Sequence, residues 1–250
     1  MQLLIDIGNT RSKWVLRSES GLVHCRGYLS ESSLFGGAQL ALDLKAKIKQ
    51  VWVSCVGKSN VLSAVTVMVA RELGLVVQVA SVESFAGELV NAYGDLGRLG
   101  VDRWMAAVGA RSRIPEGGVI VVDAGTAVTI DYISSDSVFE GGVILPGLVM
   151  MHDSLVGNTV GIASEIAGVD SVIGKNTPEC VNAGVLYGLV GAVERIVKEI
   201  ISMNIDDSIR LMLCGGDAAK IQSLSDLPFE LTPNVIFDGL QVMAKIKNNQ

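Results

Sequence analysis

At 250 residues, 49% hydrophobic and only 18% charged, the chain can bury the core of one large domain or two ordinary ones, and disorder is excluded. Its formal charge of −6 and pI near 5.0 exclude a basic nucleic-acid footprint. Its 28 glycines imply many tight turns and close backbone approaches. Mean hydropathy is +0.45, but the longest nearly apolar runs, Gly141 to Met151 and Ala183 to Val193, reach only about half the length of a spanning helix. Met1 and Gln2 lead straight into Leu3-Leu4-Ile5-Asp6; with no basic n-region, no signal peptide is expected. The reading is a cytoplasmic protein, without membrane or nucleic acid, that hides apolar surface in a subunit interface. Cys25, Cys55, Cys180 and Cys214 share no CxxC spacing, so mostly buried thiols are expected. With only His24 and His152, acid–base chemistry is expected to run on carboxylates.

In chain order, Leu3 to Ile7 reads as a buried strand entering a polar turn, with Trp14 to Leu16 as its return. Gln50 to Cys55 is a strand, and Asn60 to Leu73 a helix that starts at Ser59 or Asn60 and stops at Gly74. Val76 to Val79 is a strand, and Asp102 to Arg113 has helical apolar spacing. The pattern then restarts: Val119 to Asp123 is a strand, Gly125-Thr126 a turn, Val128 to Ile133 the return. Thr177-Pro178 opens a long helix to about Met203, with the threonine as N-cap and proline at the first helical position. Arg210 to Leu213 is a strand, Cys214 to Asp217 a turn, and Val235 to Lys247 a closing helix.

The segments LLIDIGNT from Leu3 and VIVVDAGT from Val119 repeat one design. An apolar strand delivers an aspartate into a glycine turn followed by threonine. The two copies lie about half the chain apart, which predicts two similar α/β domains, 1–115 and 116–250.

The first copy suits polyphosphate. Gly8 lets the backbone turn tightly, and successive N–H groups with the Thr10 and Ser12 hydroxyls form a concave nest for phosphate oxygens, with Lys13 beside it. Asp6 can hold a hydrated magnesium ion, which takes few carboxylates and keeps several waters. An ordinary hairpin turn accounts for the same residues. The second copy, Asp123-Ala-Gly125-Thr126-Ala-Val-Thr129, offers a matching carboxylate and hydroxyls, although Asp123 can equally just cap its turn. A third group is Asn91-Ala-Tyr93 with Leu99-Gly100-Val101-Asp102-Arg103. Asp102 can accept a hydroxyl proton in phosphoryl transfer, and Arg103 can fork onto a carboxylate or carbonyl. The alternatives are an N-cap for Asp102 and a solvated first-turn position for Arg103.

Taken together, DIGNT (6–10), LGVDR (99–103), VVDAGTAVTID (121–131) and FEGGVILPGL (139–148) resemble the motifs of the type III pantothenate kinase family. That family belongs to the acetate/sugar kinase, Hsp70 and actin superfamily: two RNase H-like (actin-like ATPase) α/β domains with a cleft that closes over ATP. The resemblance implies ATP-dependent phosphorylation of the primary hydroxyl of pantothenate, the first step toward coenzyme A, by an alcohol-group phosphotransferase. It assigns ATP binding to Asp6, Gly8, Asn9, Thr10, Arg11, Ser12, Lys13 and Thr126, with Mg2+. It assigns the general base to Asp102, and pantothenate contacts to Tyr93, Gly100, Val101, Asp102, Arg103 and Thr177. It places a monovalent cation, K+ or NH4+, at Asp123, and an adenine-side turn at Gly215-Gly216. A homodimer with substrate near its interface is also implied. The family usually has proline three residues after the tyrosine. Here that residue is Leu96, which leaves the Tyr93 loop less rigid. The competing functions are another small-molecule kinase of the superfamily, such as a sugar kinase, and a non-catalytic regulator like the Bvg accessory factor.

Overall fold

The computed structural model describes residues 1–29, 42–57, 59–160, 171–203 and 208–248. The chain divides into two compact α/β units. The first takes Met1–Pro115, Ser137–Phe139 and Asn234–Gln250; the second takes Glu116–Asp136 and Glu140–Pro233.

In the first unit, β1 (Gln2–Ile7), β2 (Ser12–Arg17), β3 (Val23–Tyr28), α1 (Leu42–Ala46), β4 (Gln50–Cys55), α2 (Ser59–Leu73) and β5 (Val77–Val79) come in sequence. The sheet order is β3-β2-β1-β4-β5. Antiparallel hairpins join β1 to β2 and β2 to β3, whereas β4 and β5 lie parallel to β1 through crossovers. Leu3, Ile5, Ile7, Trp14, Leu16, Val51 and Val53 pack with Val65, Met68 and Val69 of α2. Those helix positions recur at the three-to-four spacing that puts one stripe on the sheet. Gly74, at φ +65, ends α2 by taking the left-handed conformation that glycine alone adopts cheaply.

The short strands β6 (Phe85–Ala86) and β7 (Leu89–Asn91) and the helix α3 (Val101–Arg113) complete the first passage through this unit. The second unit holds β8 (Gly118–Ala124), β9 (Ala127–Ile133), most of β10 (Val138–Pro146), α4 (Leu148–Asn158), α5 (Thr177–Met203), β11 (Ile209–Cys214), α6 (Ala218–Leu224) and β12 (Glu230–Leu231). Its strand order, β12-β11-β8-β9-β10, repeats that of the first unit. Again the first two strands form an antiparallel hairpin, and the last two, β11 and β12, run parallel to the first through crossovers. The sequence echo is therefore a structural repeat, with Asp6 and Asp123 near the same end of equivalent strands.

The closing helix α7 (Val235–Asn248) belongs to the first unit. It crosses α3 where two glycines meet backbone. A Cβ on Gly109 would sit 1.9 Å from the Val235 carbonyl oxygen, and one on Gly239 would sit 2.0 Å from that of Met105. Asp238 bridges the buried Arg17 (2.6 Å) and Arg113 (2.5 Å) beside this crossing, so the α7 carboxylate is paired where water is scarce.

Helix α5 is long and apolar enough to cross a membrane by length and composition, beyond what the separate apolar runs suggested. It lays Leu189, Val190, Val193 and Val197 into the core of the second unit, against Ile120, Val122, Ile130 and Leu213. The cysteines are also more varied than expected. Cys214 is buried, Cys25 and Cys55 are half-buried, Cys180 is exposed, and all four are free.

Candidate functional site

The first strand–turn–strand copy sits at the end of β1. Asp6 is half-buried and opposes Lys13 across the hairpin, with Ser54 of β4 on its other side. The Gly8 N–H donates to the Arg11 carbonyl at 3.2 Å, closing the turn, and Asn9, Thr10 and Arg11 are exposed at its tip. The base of the turn is fixed from β4: the N–H groups of Val56 and Gly57 both donate to the Ile7 carbonyl (3.1 and 3.2 Å). A Cβ on Gly57 would meet the Gly8 carbonyl oxygen at 2.7 Å. A firm base thus carries a soft tip of amides, hydroxyls and cations. A groove of about 650 Å³ opens beside Thr10, Arg11 and Ser12, floored by Val61, Ala64 and Met68 of α2.

The second group surrounds α3. Gly100 is the N-cap of the helix, at φ −60 and ψ 130, so Asp102 is a first-turn residue and not the cap. Its Oδ1 accepts from the Arg103 N–H at 2.8 Å. A Cβ on Gly100 would lie 2.6 Å from that oxygen, so a larger residue there would displace the Asp102 carboxylate. Burial raises the pKa of Asp102, against lowering by the Arg103 N–H and the Arg103 charge.

Arg103 is 6% exposed, a buried cation where the sequence alternative had a solvated one. Its guanidinium carbon lies 5.7 Å from the centroid of the Tyr93 ring and 6.0 Å from that of Phe139. The loop carrying Tyr93 is shaped by Asn91, whose Oδ1 accepts from the Tyr93 N–H at 3.0 Å. Leu96, in place of the family's proline, opens a short 3-10 turn, Leu96–Arg98, capped by Asp95 through the Gly97 N–H at 3.0 Å. Side-chain caps on both flanks of Tyr93 thus order the loop without proline.

In the second unit, half-buried Asp123 ends β8, with Thr129 and Cys214 opposite it on the neighbouring strands. The turn that follows is gripped from two sides. The Gly147 N–H, at the start of α4, donates to the Thr126 carbonyl at 3.0 Å, and the Asp217 N–H donates to that of Ala124 at 3.0 Å. A Cβ on Gly147 would come within 2.4 Å of the Gly125 carbonyl oxygen, and one on Gly215, at φ +94, within 2.3 Å of the Ala124 oxygen. Glycine is required at both places by contact.

These contacts explain the FEGGVILPGL stretch. Phe139 packs beside Tyr93 and Trp104. A Cβ on Gly142 would fall 2.0 Å from the Ile130 carbonyl oxygen, so glycine lets β10 press against β9. Gly147 then seats the Thr126 turn.

Thr177 is exposed at the start of α5, but the cap there is Asn176. Its Oδ1 accepts from the Glu179 N–H at 2.9 Å, and its amide donates back to Glu179 at 2.8 Å. That reciprocal bracket shifts the helix start by one residue, so Pro178 stands one place further in. The Thr177 hydroxyl is thereby released from the capping role.

The donor sets fit the cations differently. Among the described residues no three His, Cys, Asp or Glu side chains cluster as a metal site. Magnesium that keeps most of its waters asks for only one or two carboxylates, which Asp6 can provide. Asp123 offers a half-buried carboxylate, the kind of oxygen donor that a hard cation takes.

The sequence motifs contain Asn91, Phe139, Gly147 and Asp217 without disclosing that they hold these groups, and Asp95 lies outside the motifs. The Asn-x-Tyr spacing was the one local sign among them.

The repeated β-order and the paired strand-end aspartates place the protein in the actin-like ATPase class of two-domain α/β folds. Two solved structures share this fold. One is a Campylobacter jejuni protein proposed to be a Baf family transcriptional activator, with 20% identity, TM-score 0.59 and coverage of 99% of this chain and 100% of that one. The other is a Sinorhizobium meliloti protein proposed to be a 2-dehydro-3-deoxygalactonokinase, with 14% identity, TM-score 0.58 and 99% coverage of each chain. Within the class, the type III pantothenate kinase family model matches residues 2–199. Type III pantothenate kinases from Cupriavidus taiwanensis and Alkalilimnicola ehrlichii are 34% and 32% identical over 97% of both chains in each pair. The chain belongs to the type III pantothenate kinase family.

Proposed function

We propose that this chain catalyses transfer of the γ-phosphoryl group of ATP to the primary hydroxyl of pantothenate, yielding 4'-phosphopantothenate and ADP, with Asp102 as the general base. Family membership supports the substrates. The observation that carries the residue assignment is the α3 start, where a desolvated carboxylate, a buried guanidinium and Tyr93 are held together.

In the step, the pantothenate oxygen bonds to the γ-phosphorus as its proton passes to an Asp102 oxygen. The bond from the γ-phosphorus to the bridging oxygen breaks, and ADP leaves with that electron pair. Little else is covalent, so the protein's work is positioning and electrostatics. Exposed N–H groups and the Thr10 and Ser12 hydroxyls of the tip at residues 9–12 bind phosphate oxygens, with Gly8 closing the turn that presents them and Arg11 and Lys13 adding positive charge. Thr126 binds ATP from its rigid turn, Asp6 holds Mg2+, and Asp123 holds K+ or NH4+. When bound, these cations offset phosphate charge. Arg103 forks onto the pantothenate carboxylate, with Tyr93, Gly100, Val101 and Thr177 completing its contacts.

The remaining proposals concern assembly and place. The chain works as a cytoplasmic homodimer with no membrane or nucleic-acid partner. The second unit supports a dimer with exposed Val143, Ile144, Val149 and Met150 and with a groove of about 450 Å³ lined by Pro146, Met150, Met151 and Leu155, surface that a second copy would cover.

The test is Asp102→Asn, which keeps shape and removes the base. The kcat falls by roughly 10²–10⁴ while the melting temperature holds. A folded variant turning over near the wild-type rate removes the assignment.

A further inference from the structure

The proposed reading leaves Phe139 without a part to play, yet this ring is where the substrate-side residues converge. Phe139 is fully buried and is the last residue of the Ser137–Phe139 stretch in the first unit; Glu140 belongs to the second. Its backbone pairs with Asn91, and its carbonyl accepts from the Ala92 N–H at 3.2 Å, next to Tyr93. The ring meets Trp104 edge-on at 5.9 Å and 78°, and tilts against Tyr93 at 6.3 Å and 35°. The Arg103 guanidinium carbon lies over the Phe139 ring at 6.0 Å as well as over that of Tyr93.

We infer that Phe139 is a positioning residue for the acidic end of the substrate: its ring, buttressed by Trp104, holds the Arg103 guanidinium against Tyr93 in the pose that receives a carboxylate. This rests on the proposed function and extends it to a residue that touches no reacting atom. An arginine free to rotate must surrender several torsions when it forks onto a carboxylate. One already held against two adjacent rings surrenders fewer, so more of the contact appears as affinity. Aromatic faces suit the task because they attract the cation without competing for it as a counter-charge. An aliphatic side chain of similar bulk fills the space but lacks the quadrupole.

The predicted signature is a split between constants. Phe139→Leu and Phe139→Met each raise the pantothenate KM about tenfold, the scale of a desolvated cation–ring contact, with kcat and the ATP KM within about twofold of wild type. Phe139→Tyr, which keeps the ring, retains the wild-type pantothenate KM. In an Arg103→Gln background, Phe139→Leu adds less than about twofold, because the partner it acts through is gone. An unchanged pantothenate KM in the aliphatic variants, a fall in kcat with KM unmoved, full additivity with Arg103→Gln, or failure of both aliphatic variants to fold overturns the positioning role. The wild-type enzyme in the same assay separates the two readings. Without pantothenate-dependent ADP release from wild type, the proposed function fails. With normal wild-type turnover and an unmoved Phe139→Leu, only the role of Phe139 fails.

Discussion

The two strand-end turns share a design and differ in how they are held. After Asp6 the chain makes a four-residue excursion, Gly8 to Arg11, with an exposed, cationic tip. After Asp123 it makes a short turn whose carbonyls are taken by Gly147 and Asp217 N–H groups and whose surroundings admit no Cβ at Gly147 or Gly215. The first turn is fixed by backbone contacts at its base and exposed at its tip, whereas the second is gripped by backbone along the turn itself. One repeat has thus been tuned two ways: an adaptable cradle rich in donors, and a stiff post whose position is set by packing.

The largest contrast is expected at the two aspartates. Asp6→Asn lowers kcat/KM by roughly 10²–10³, the scale of losing one electrostatic partner of a reacting phosphoryl group, and higher Mg2+ partly restores it. Asp123→Asn responds instead to monovalent salt: turnover no longer rises when KCl replaces choline chloride. Steady-state titrations of each cation with both variants measure this, and identical responses would erase the functional distinction between the turns.

Glycine substitutions come next. Gly215→Ala combines a left-handed φ with a backbone clash and costs about 1–3 kcal/mol, read as a lower denaturation midpoint. Gly147→Ala behaves alike. Gly8→Ala, whose Cβ would meet the Arg11 carbonyl oxygen at 3.1 Å in an ordinary φ range, costs less. Equal losses at all three would contradict the contrast of soft and stiff turns.

The pH profile sharpens the chemical side. Because burial raises the Asp102 pKa, the acid limb of kcat/KM has its midpoint above the ordinary aspartate value of about 3.9. The folded state holds this proton more tightly than the unfolded state, so the contribution of Asp102 to stability falls as pH rises from the unfolded to the folded pKa. At neutral pH, Asp102→Asn therefore leaves stability equal or slightly higher while removing activity. A clear drop in its melting temperature at neutral pH counts against that account.

The smallest effect expected is at Leu96→Pro. Asp95, at φ −132 and ψ 100, already has the extended backbone that a following proline demands. The change stabilises by about 0.4–1 kcal/mol through the unfolded chain, and lowers the pantothenate KM slightly. A destabilised variant would show that the Leu96 side chain or N–H does more than the turn requires.

Much of the fold was legible locally. Each strand–Asp–glycine turn announces itself within eight residues, and α2, α3, α5 and α7 follow from apolar spacing. Other elements lacked a local sign. Strand β3 has mostly exposed residues and no apolar alternation to follow. Glycines mask β10, and α4 buries only His152 along its length. The cap of α5 was misplaced because Asn176 and Thr177 both suit the role. The Glu179 side chain, three residues after the asparagine, decides between them. What no local pattern could supply was the support of each site: the α3–α7 glycine crossing, the ring behind Arg103 and the grip on the Thr126 turn join residues far apart in sequence.

The most direct test mixes purified protein, ATP, Mg2+ and K+ with pantothenate or with a panel of sugars, and follows ADP in a coupled assay. Wild type is expected to release ADP only with pantothenate, and folded Asp102→Asn to lose nearly all of that release. ADP production driven by a sugar and indifferent to pantothenate, or an Asp102→Asn variant as fast as wild type, would contradict the account.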